Sequence, residues 1–130
     1  MHLTTTLSLA AAALLINLWL SIRCGSIRGK EKILHGDGGS ALLMQRMRAQ
    51  ANFIENAPLV LIAIGLIEAS GRGGQWLPIV GGLFMLARVS HGIGMDNAGF
   101  SPFRSVGALV TMVTELGLAV VGVLIVLGKF

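Results

Sequence analysis

The sequence has no tyrosine, a single cysteine and few charged residues, and each shortage limits the structures and functions that the chain can have. Of its 130 residues, 12% are charged and 54% are hydrophobic, whereas a soluble domain carries about 25% charged residues. With Cys24 alone, neither an internal disulfide nor a cysteine metal set can form. The three histidines lack metal-ligand spacing, so we expect no metal site. These shortages favour a membrane protein with one domain over residues 1–130.

The charges that remain are mostly basic, and they give a formal net charge of +4. They are not interleaved with aromatic residues, so we do not expect nucleic acid as a partner. Basic loops beside a membrane explain the charge better.

Four largely apolar segments divide the chain, and the helix predicted for each is long enough to cross a bilayer core, which takes about 20 residues. We predict spans over residues 3–27, 40–70, 75–96 and 103–128. Ser40 is a suitable N-cap for the second span, and Pro78 fits the first turn of the third. The sequence therefore predicts an all-α membrane protein that folds as a four-transmembrane-helix bundle.

Basic residues are concentrated on one side of these spans. The connection after the first span and its borders contain Arg23, Arg28, Lys30, Lys32, Arg46 and Arg48, and the connection after the third is flanked by Arg88 and Arg104. The other side has only Arg72 and Lys129. By the positive-inside rule, both richer connections are cytoplasmic, and both termini lie outside the cytoplasm.

Polar side chains share one face of the second helix and one face of the third, near that same end. Arg48, Asn52 and Glu55 recur at i, i+4 and i+7, and Arg88 and His91 at i and i+3. A charge inside a span is costly and marks a candidate functional site. His91 is open to two interpretations, a general base or a hydrogen-bonding structural residue.

Cations outnumber anions in this group. Arg48, Arg88 and Arg104, with Arg28 within reach, face the one carboxylate of Glu55. A surplus of buried cations needs an anion to offset it, and arginine forks match carboxylates. The glutamate would match an ammonium, so the pattern favours a zwitterionic peptide as ligand. The alternative is an ion-pair network, with Glu55 bonded to Arg48 or Arg88 and no ligand.

Arg104 and Ser105 open the fourth predicted helix and are the candidates for chemistry. The helix dipole and the free amides of the first turn favour an anion there. A guanidinium and a hydroxyl would lower the pKa of a bound thiol, and the thiolate is the nucleophile.

Glu115 is the only charged residue within the fourth apolar run. Thr111 and Thr114 are close to it along the helix, so we expect a hydrogen-bonding carboxylate that joins helices and has no catalytic role.

The motif Arg48-Ala-Gln-Ala-Asn52-Phe-Ile-Glu55-Asn-Ala-Pro58 closely resembles the signature of the MAPEG family, the membrane-associated proteins in eicosanoid and glutathione metabolism. The segments Arg88-Val-Ser-His91 and Arg104-Ser105 resemble the motifs of that family's third and fourth helices. The Gly-Asp-Gly-Gly loop at 36–39 and the short chain resemble its bacterial branch.

The resemblance implies a homotrimer in a bilayer, here a bacterial inner membrane. Glutathione would be the co-substrate between neighbouring subunits, and an apolar small-molecule electrophile the second substrate. The residues that would bind glutathione are Arg28, Arg48, Asn52, Glu55, Arg88 and His91, with Arg23 as the alternative to Arg28. Arg104 would stabilise the thiolate, with Ser105 beside it.

The expected function is therefore that of a glutathione transferase or peroxidase. Several enzymes of this family place tyrosines where this chain has Asn56, His91 and Met95. The alternative function is accordingly a non-catalytic binding or scaffold protein in the membrane. A transporter is disfavoured, because the charges cluster at one end of the spans and form no path across.

Overall fold

A computed structural model describes residues 2–130, and these residues form four helices without any strand. The helices are α1 Thr4–Glu31, α2 Ala41–Ala69, α3 Trp76–Gly94 and α4 Pro102–Val126. All four are long and apolar enough to cross a membrane. The predicted all-α bundle of four membrane spans is confirmed.

Serine caps begin two of the helices. The Ser40 hydroxyl accepts a hydrogen bond from the Leu43 amide at the start of α2. The Ser101 hydroxyl accepts one from the Arg104 amide at the start of α4, where Pro102 occupies the first turn. Each serine thus satisfies one of the amides that a helix leaves without an internal partner.

The first helix is longer than the span we placed at residues 3–27. It continues to Glu31, and Lys32 then adopts the left-handed conformation, with φ 55°. Lysine and arginine are good helix formers, and they complement the helix dipole in a last turn, so the basic residues do not end the helix. At 1.5 Å per residue its 28 residues extend for about 42 Å, beyond a hydrocarbon core of about 30 Å.

Neighbouring helices run in opposite directions, so α1 and α3 end where α2 and α4 begin. We call this the polar end. The helix pairs α3–α4 and α1–α2 pack most closely, α2 also touches α3 and α4, and α1 touches α3. Within the described residues α1 and α4 do not pack against each other. The core contains Leu20, Phe53 and Phe84, while apolar side chains such as Leu14 and Leu116 cover the outside.

At the opposite end of the bundle a carboxylate joins two helices. Glu68 of α2 accepts hydrogen bonds from the amides of Thr5 and Thr6 and from the Thr6 hydroxyl. These amides belong to the first turn of α1, which otherwise has no side-chain cap. Glu68 therefore caps a helix that is distant from it in the sequence.

Candidate functional site

A compact ion cluster joins three helices at the polar end. The Asp96 carboxylate accepts hydrogen bonds from Nε and Nη2 of Arg46, at 3.2 and 3.1 Å. It also pairs with the Arg23 guanidinium. Arg23 donates a further bond to the Gly92 carbonyl, and its guanidinium lies 4.8 Å from the centre of the Trp19 ring. Arg23 is therefore held by α3 and its C-terminal loop.

This cluster changes the acidity of its carboxylate. Burial alone would raise the pKa of Asp96, but the hydrogen bonds from Arg46 and the charges of Arg23 and Arg46 outweigh it. The pKa of Asp96 accordingly lies below its ordinary value. The ion cluster therefore holds α1, α2 and the loop after α3 together.

A pocket of about 640 Å³ lies between α1 and α2 at the polar end. We call it the α1–α2 pocket. Arg28, Gln50 and Glu55 supply a cation, an amide and an anion to its lining, and Cys24 also lines it. Arg28 donates to a backbone carbonyl of the next loop and to the Met47 sulfur. It makes no ion pair within the described residues, so its charge is not neutralised.

Arg48 and Glu55 lie on the edge of α2 that is turned away from the core. Their closest charged atoms are 3.9 Å apart, and their side chains are 57% and 55% exposed. An exposed ion pair of this length contributes little, typically less than about 1 kcal/mol. The two side chains are therefore open to other partners, in contrast to the buried Ala49 and Phe53 of the same helix.

A buried arginine joins α2, α3 and α4 next to this exposed pair. Arg88 is 2% exposed. Its Nη2 donates to Asn52 Oδ1 at 2.6 Å, and its Nη1 donates to Thr111 Oγ1 at 3.1 Å. The Thr111 hydroxyl in turn donates to the Gly107 carbonyl. The buried Nε atom of Arg88 has no partner among the described residues. We call Arg88, Asn52 and Thr111 the arginine layer.

His91 lies one turn further along α3, against the start of α4. Its Nδ1 atom is buried and has no partner in the described part of the chain. A Cβ atom on Gly107 would lie 2.7 Å from the His91 backbone nitrogen. Helices α3 and α4 therefore approach each other so closely here that a side chain larger than that of glycine would clash. Arg104 is partly buried in the first turn of α4. The Ser105 hydroxyl donates to the Ser101 carbonyl.

The structure brings some of the predicted site residues together and leaves others apart. Arg28 and Glu55 line the α1–α2 pocket, and Asn52 and Arg88 are bonded to each other. Arg104 belongs to α4, which does not pack against α1 within the described residues, and it is not among the residues that line that pocket. One chain by itself thus keeps the pocket and the start of α4 on different sides of the bundle.

The structure also uses residues that the sequence did not single out. Asp96 is the carboxylate that engages Arg23 and Arg46, across 73 and 50 residues of sequence. No local sequence pattern predicts an ion pair between residues that are so far apart in the chain. The ion cluster also distinguishes the two arginines of α1, because Arg23 belongs to the cluster whereas Arg28 lines the α1–α2 pocket.

Our interpretation of Glu115 as bonded to Thr111 or Thr114 is wrong. Thr111 has both of its hydrogen-bonding roles filled, as donor to Gly107 and as acceptor from Arg88. Among residues 2–130 no hydrogen bond joins Glu115 to a threonine or to any other group. The physical reason is that the Thr111 hydroxyl gives its one proton to the Gly107 carbonyl, so it has none to donate to a carboxylate.

Residues 2–130 contain no group of three or more histidine, cysteine, aspartate or glutamate side chains that is placed to hold a metal ion.

The model of the MAPEG family matches residues 6–124, which contain all four helices except the ends of α1 and α4. No curated protein and no solved structure matches the chain.

Proposed function

The chain belongs to the MAPEG family, and from that premise we propose that it is a glutathione-dependent membrane enzyme. It would transfer glutathione to an apolar electrophile, or use glutathione to reduce an apolar hydroperoxide. The observation that carries the proposal is the α1–α2 pocket, which has an unneutralised Arg28, the Gln50 amide and Glu55 in its lining. Membership of a family of glutathione and eicosanoid metabolism supports the choice of peptide.

The charges of this region suit glutathione group by group. Glutathione has two carboxylates, one ammonium and two amides. The guanidinium groups of Arg28 and Arg48 would bind carboxylates, because a planar fork matches a carboxylate. Glu55 would bind the ammonium, and Gln50 would bond to an amide. The loose contact between Arg48 and Glu55 supports this assignment, since a tight internal pair would not release its partners.

Asn52, Arg88 and His91 would form the inner wall of the same site. The Arg88 fork already holds the Asn52 side chain, so this part of the wall is rigid before any ligand arrives. The unpartnered Nδ1 atom of His91 would accept or donate one further hydrogen bond. Preorganised groups of this kind bind a ligand at lower entropic cost.

A second copy of the chain would complete the site. The exposed Arg48–Glu55 pair lies on a membrane-spanning helix, where uncovered charges are costly. In addition, Arg104 lies on another side of the bundle from the α1–α2 pocket. A closed homotrimer would cover the pair and bring the start of α4 of one copy to the pocket of the next. We therefore propose a homotrimer with glutathione between subunits.

Arg104 would then supply the chemistry. Its guanidinium lies in the first turn of α4, where the helix dipole also favours an anion. It would stabilise the thiolate sulfur, which forms a bond to the electrophilic carbon while the leaving group departs with its electron pair. Ser105 would contribute a second donor to the sulfur by releasing the Ser101 carbonyl, which its hydroxyl now bonds.

A conjugation assay tests the proposal. Purified protein in nanodiscs should conjugate glutathione to a chlorodinitrobenzene-type electrophile. Arg104→Ala should lower the rate by about 100-fold, a typical loss for one electrostatic group. Arg72→Ala, which removes a cation at the other end of the bundle, should leave the rate unchanged. Absence of turnover in the wild type with this and with hydroperoxide substrates would contradict an enzymatic function.

A non-catalytic binding or scaffold protein is the second candidate. Two observations favour it: the sequence has no tyrosine, and the Ser105 hydroxyl is bonded within its own helix turn. This candidate predicts that glutathione raises the melting temperature while no conjugate forms. Turnover that depends on Arg104 would exclude it.

We further propose that the polar end faces the cytoplasm of a bacterial inner membrane, with both termini outside. Every lysine and arginine except Arg72 and Lys129 lies towards this end, as the positive-inside rule requires. An impermeant maleimide should label His35→Cys only in inverted vesicles and Gln75→Cys only in right-side-out vesicles. The reverse pattern would invert the orientation.

A further inference from the structure

A second pocket lies between α2 and α4. It is further from the polar end than the arginine layer. Its volume is about 370 Å³. Leu59, Ala63 and Leu118 make most of its wall apolar, and the polar residues that line it are Asn56 and Glu115. We call it the α2–α4 pocket. None of its residues lines the α1–α2 pocket.

The two polar residues lie one helical turn below the arginine layer. Asn56 follows Asn52 by four residues on α2, and Glu115 follows Thr111 by four residues on α4. Both helices begin at the polar end, so both steps lead in the same direction. Glu115 is 13 residues beyond Pro102, or about 20 Å along the helix axis. It therefore lies near the middle of a membrane span.

A carboxylate at this depth needs a partner, and the chain does not provide a direct one. Transfer of an acidic group to the middle of a span is costly even on the most lenient scale. No hydrogen bond to Glu115 exists among residues 2–130, and no cationic side chain lies within 4.0 Å of it. Arg88 acts on Glu115 only through space, as its guanidinium is bonded to Asn52 and Thr111.

The unused hydrogen-bonding groups define the chemistry of an occupant. The Asn56 amide nitrogen donates one of its two N–H groups to the Asn52 carbonyl, which leaves the amide oxygen as an acceptor and the second N–H as a donor. The Glu115 carboxylate is also an acceptor. An occupant must therefore donate a hydrogen bond to the carboxylate, and a hydroxyl group can also accept one from Asn56. It should be neutral, because the charges of Arg88 and Glu115 already offset each other and an ammonium would add an uncompensated cation.

We propose that the α2–α4 pocket is a binding site, open to the bilayer, for a neutral apolar molecule with a hydroxyl group. The hydroxyl donates to Glu115, and the apolar part lies against the aliphatic wall. The volume is at the small end of the range for ligand pockets, about 300–1,000 Å³. The site is separate from the groups assigned to glutathione, so the proposal stands whether or not the chain handles that peptide.

Photolabelling of the full chain in phosphatidylcholine nanodiscs tests the proposal. The probe is dodecanol with a diazirine on its chain, and the competitors are dodecanol, dodecane and dodecylamine. Labelled peptides should contain Leu59, Ala63 or Leu118. Dodecanol should prevent the labelling at concentrations at least about tenfold lower than dodecane or dodecylamine, the factor expected for one hydrogen bond to a charged acceptor.

Variants extend the test. Glu115→Leu should lower the labelling by about tenfold or more. Leu116→Ala, which changes the neighbouring exposed residue, should leave it unchanged. The proposal is overturned if dodecane competes as well as dodecanol, if dodecylamine competes better, or if crosslinks show that a second copy fills the pocket. The competition in the wild type decides even if Glu115→Leu does not fold.

Discussion

Arg88 of α3 donates a hydrogen bond of 2.6 Å to Asn52 of α2 from a guanidinium that is almost completely buried. Asn52→Ala would remove the acceptor and leave a buried charged donor without its partner. We expect this to lower the free energy of unfolding by about 2 kcal/mol. Thermal unfolding in nanodiscs measures the loss. Asn52→Asp keeps an acceptor oxygen and should retain the stability. Equal stability of Asn52→Ala and wild type would show that the bond contributes nothing.

The ion cluster around Asp96 makes the stability depend on pH. The pKa of this group is lower in the folded chain than in the unfolded one. Its contribution is therefore complete above the unfolded pKa of about 3.9, and is lost as the pH falls through the lower folded value. The melting temperature of the wild type should exceed that of Asp96→Asn at pH 6, and the difference should shrink towards pH 3. Asn97→Ala, in the same loop, should follow the wild type. A difference that grows in acid would contradict this assignment.

Two glycines of α4 give a matched test of the contact with α3. A Cβ atom on Gly107 would lie 2.5 Å from the Ala87 carbonyl oxygen, whereas one on Gly117 would meet no atom within 4 Å. Gly107→Ala should therefore destabilise the bundle by about 1–3 kcal/mol through overpacking. Gly117→Ala should be neutral or slightly stabilising, because alanine favours a helix. Thermal melts of both variants measure the effects, and equal melting temperatures would refute the close approach at Gly107.

The two arginines of α1 should differ in their roles. Arg23→Ala would free Asp96 and the Gly92 carbonyl, so we expect a lower melting temperature. Arg28→Ala removes a cation from the α1–α2 pocket and should weaken glutathione binding by about tenfold, with little change in the melting temperature. Calorimetry with glutathione and thermal melts together separate the two effects. The opposite pattern, with binding lost only in Arg23→Ala, would assign the ligand to the other arginine.

The sequence predicts the helices well because they depend on local signals. Apolar runs of span length set the four helices, and Ser40 caps α2 as expected. The end of α1 was placed too early, since a basic turn remains helical until Lys32 adopts the left-handed conformation. Pro58 lies within a continuous α2, as the predicted span over residues 40–70 requires.

The partners of the charged groups were harder to predict. Helical periodicity places Arg48, Asn52 and Glu55 on one face, but it does not say which neighbour each one meets. Packing turns Asn52 towards the buried Arg88 and leaves the other two exposed. The pairs made by Asp96 and Glu68 join residues far apart in the sequence, so they depend on the assembled bundle. The roles of the site residues towards glutathione stay predictions.

The central claim is that Arg104 holds a bound thiol as the thiolate. Ultraviolet difference spectroscopy tests it most directly, because a thiolate has an ultraviolet absorption band that a thiol lacks, and a titration of free glutathione calibrates its position. Addition of glutathione to the purified protein at neutral pH should produce the thiolate band, and Arg104→Ala should abolish it while Arg72→Ala retains it. A wild-type protein that binds glutathione without this band, or a band that persists in Arg104→Ala, would contradict the claim.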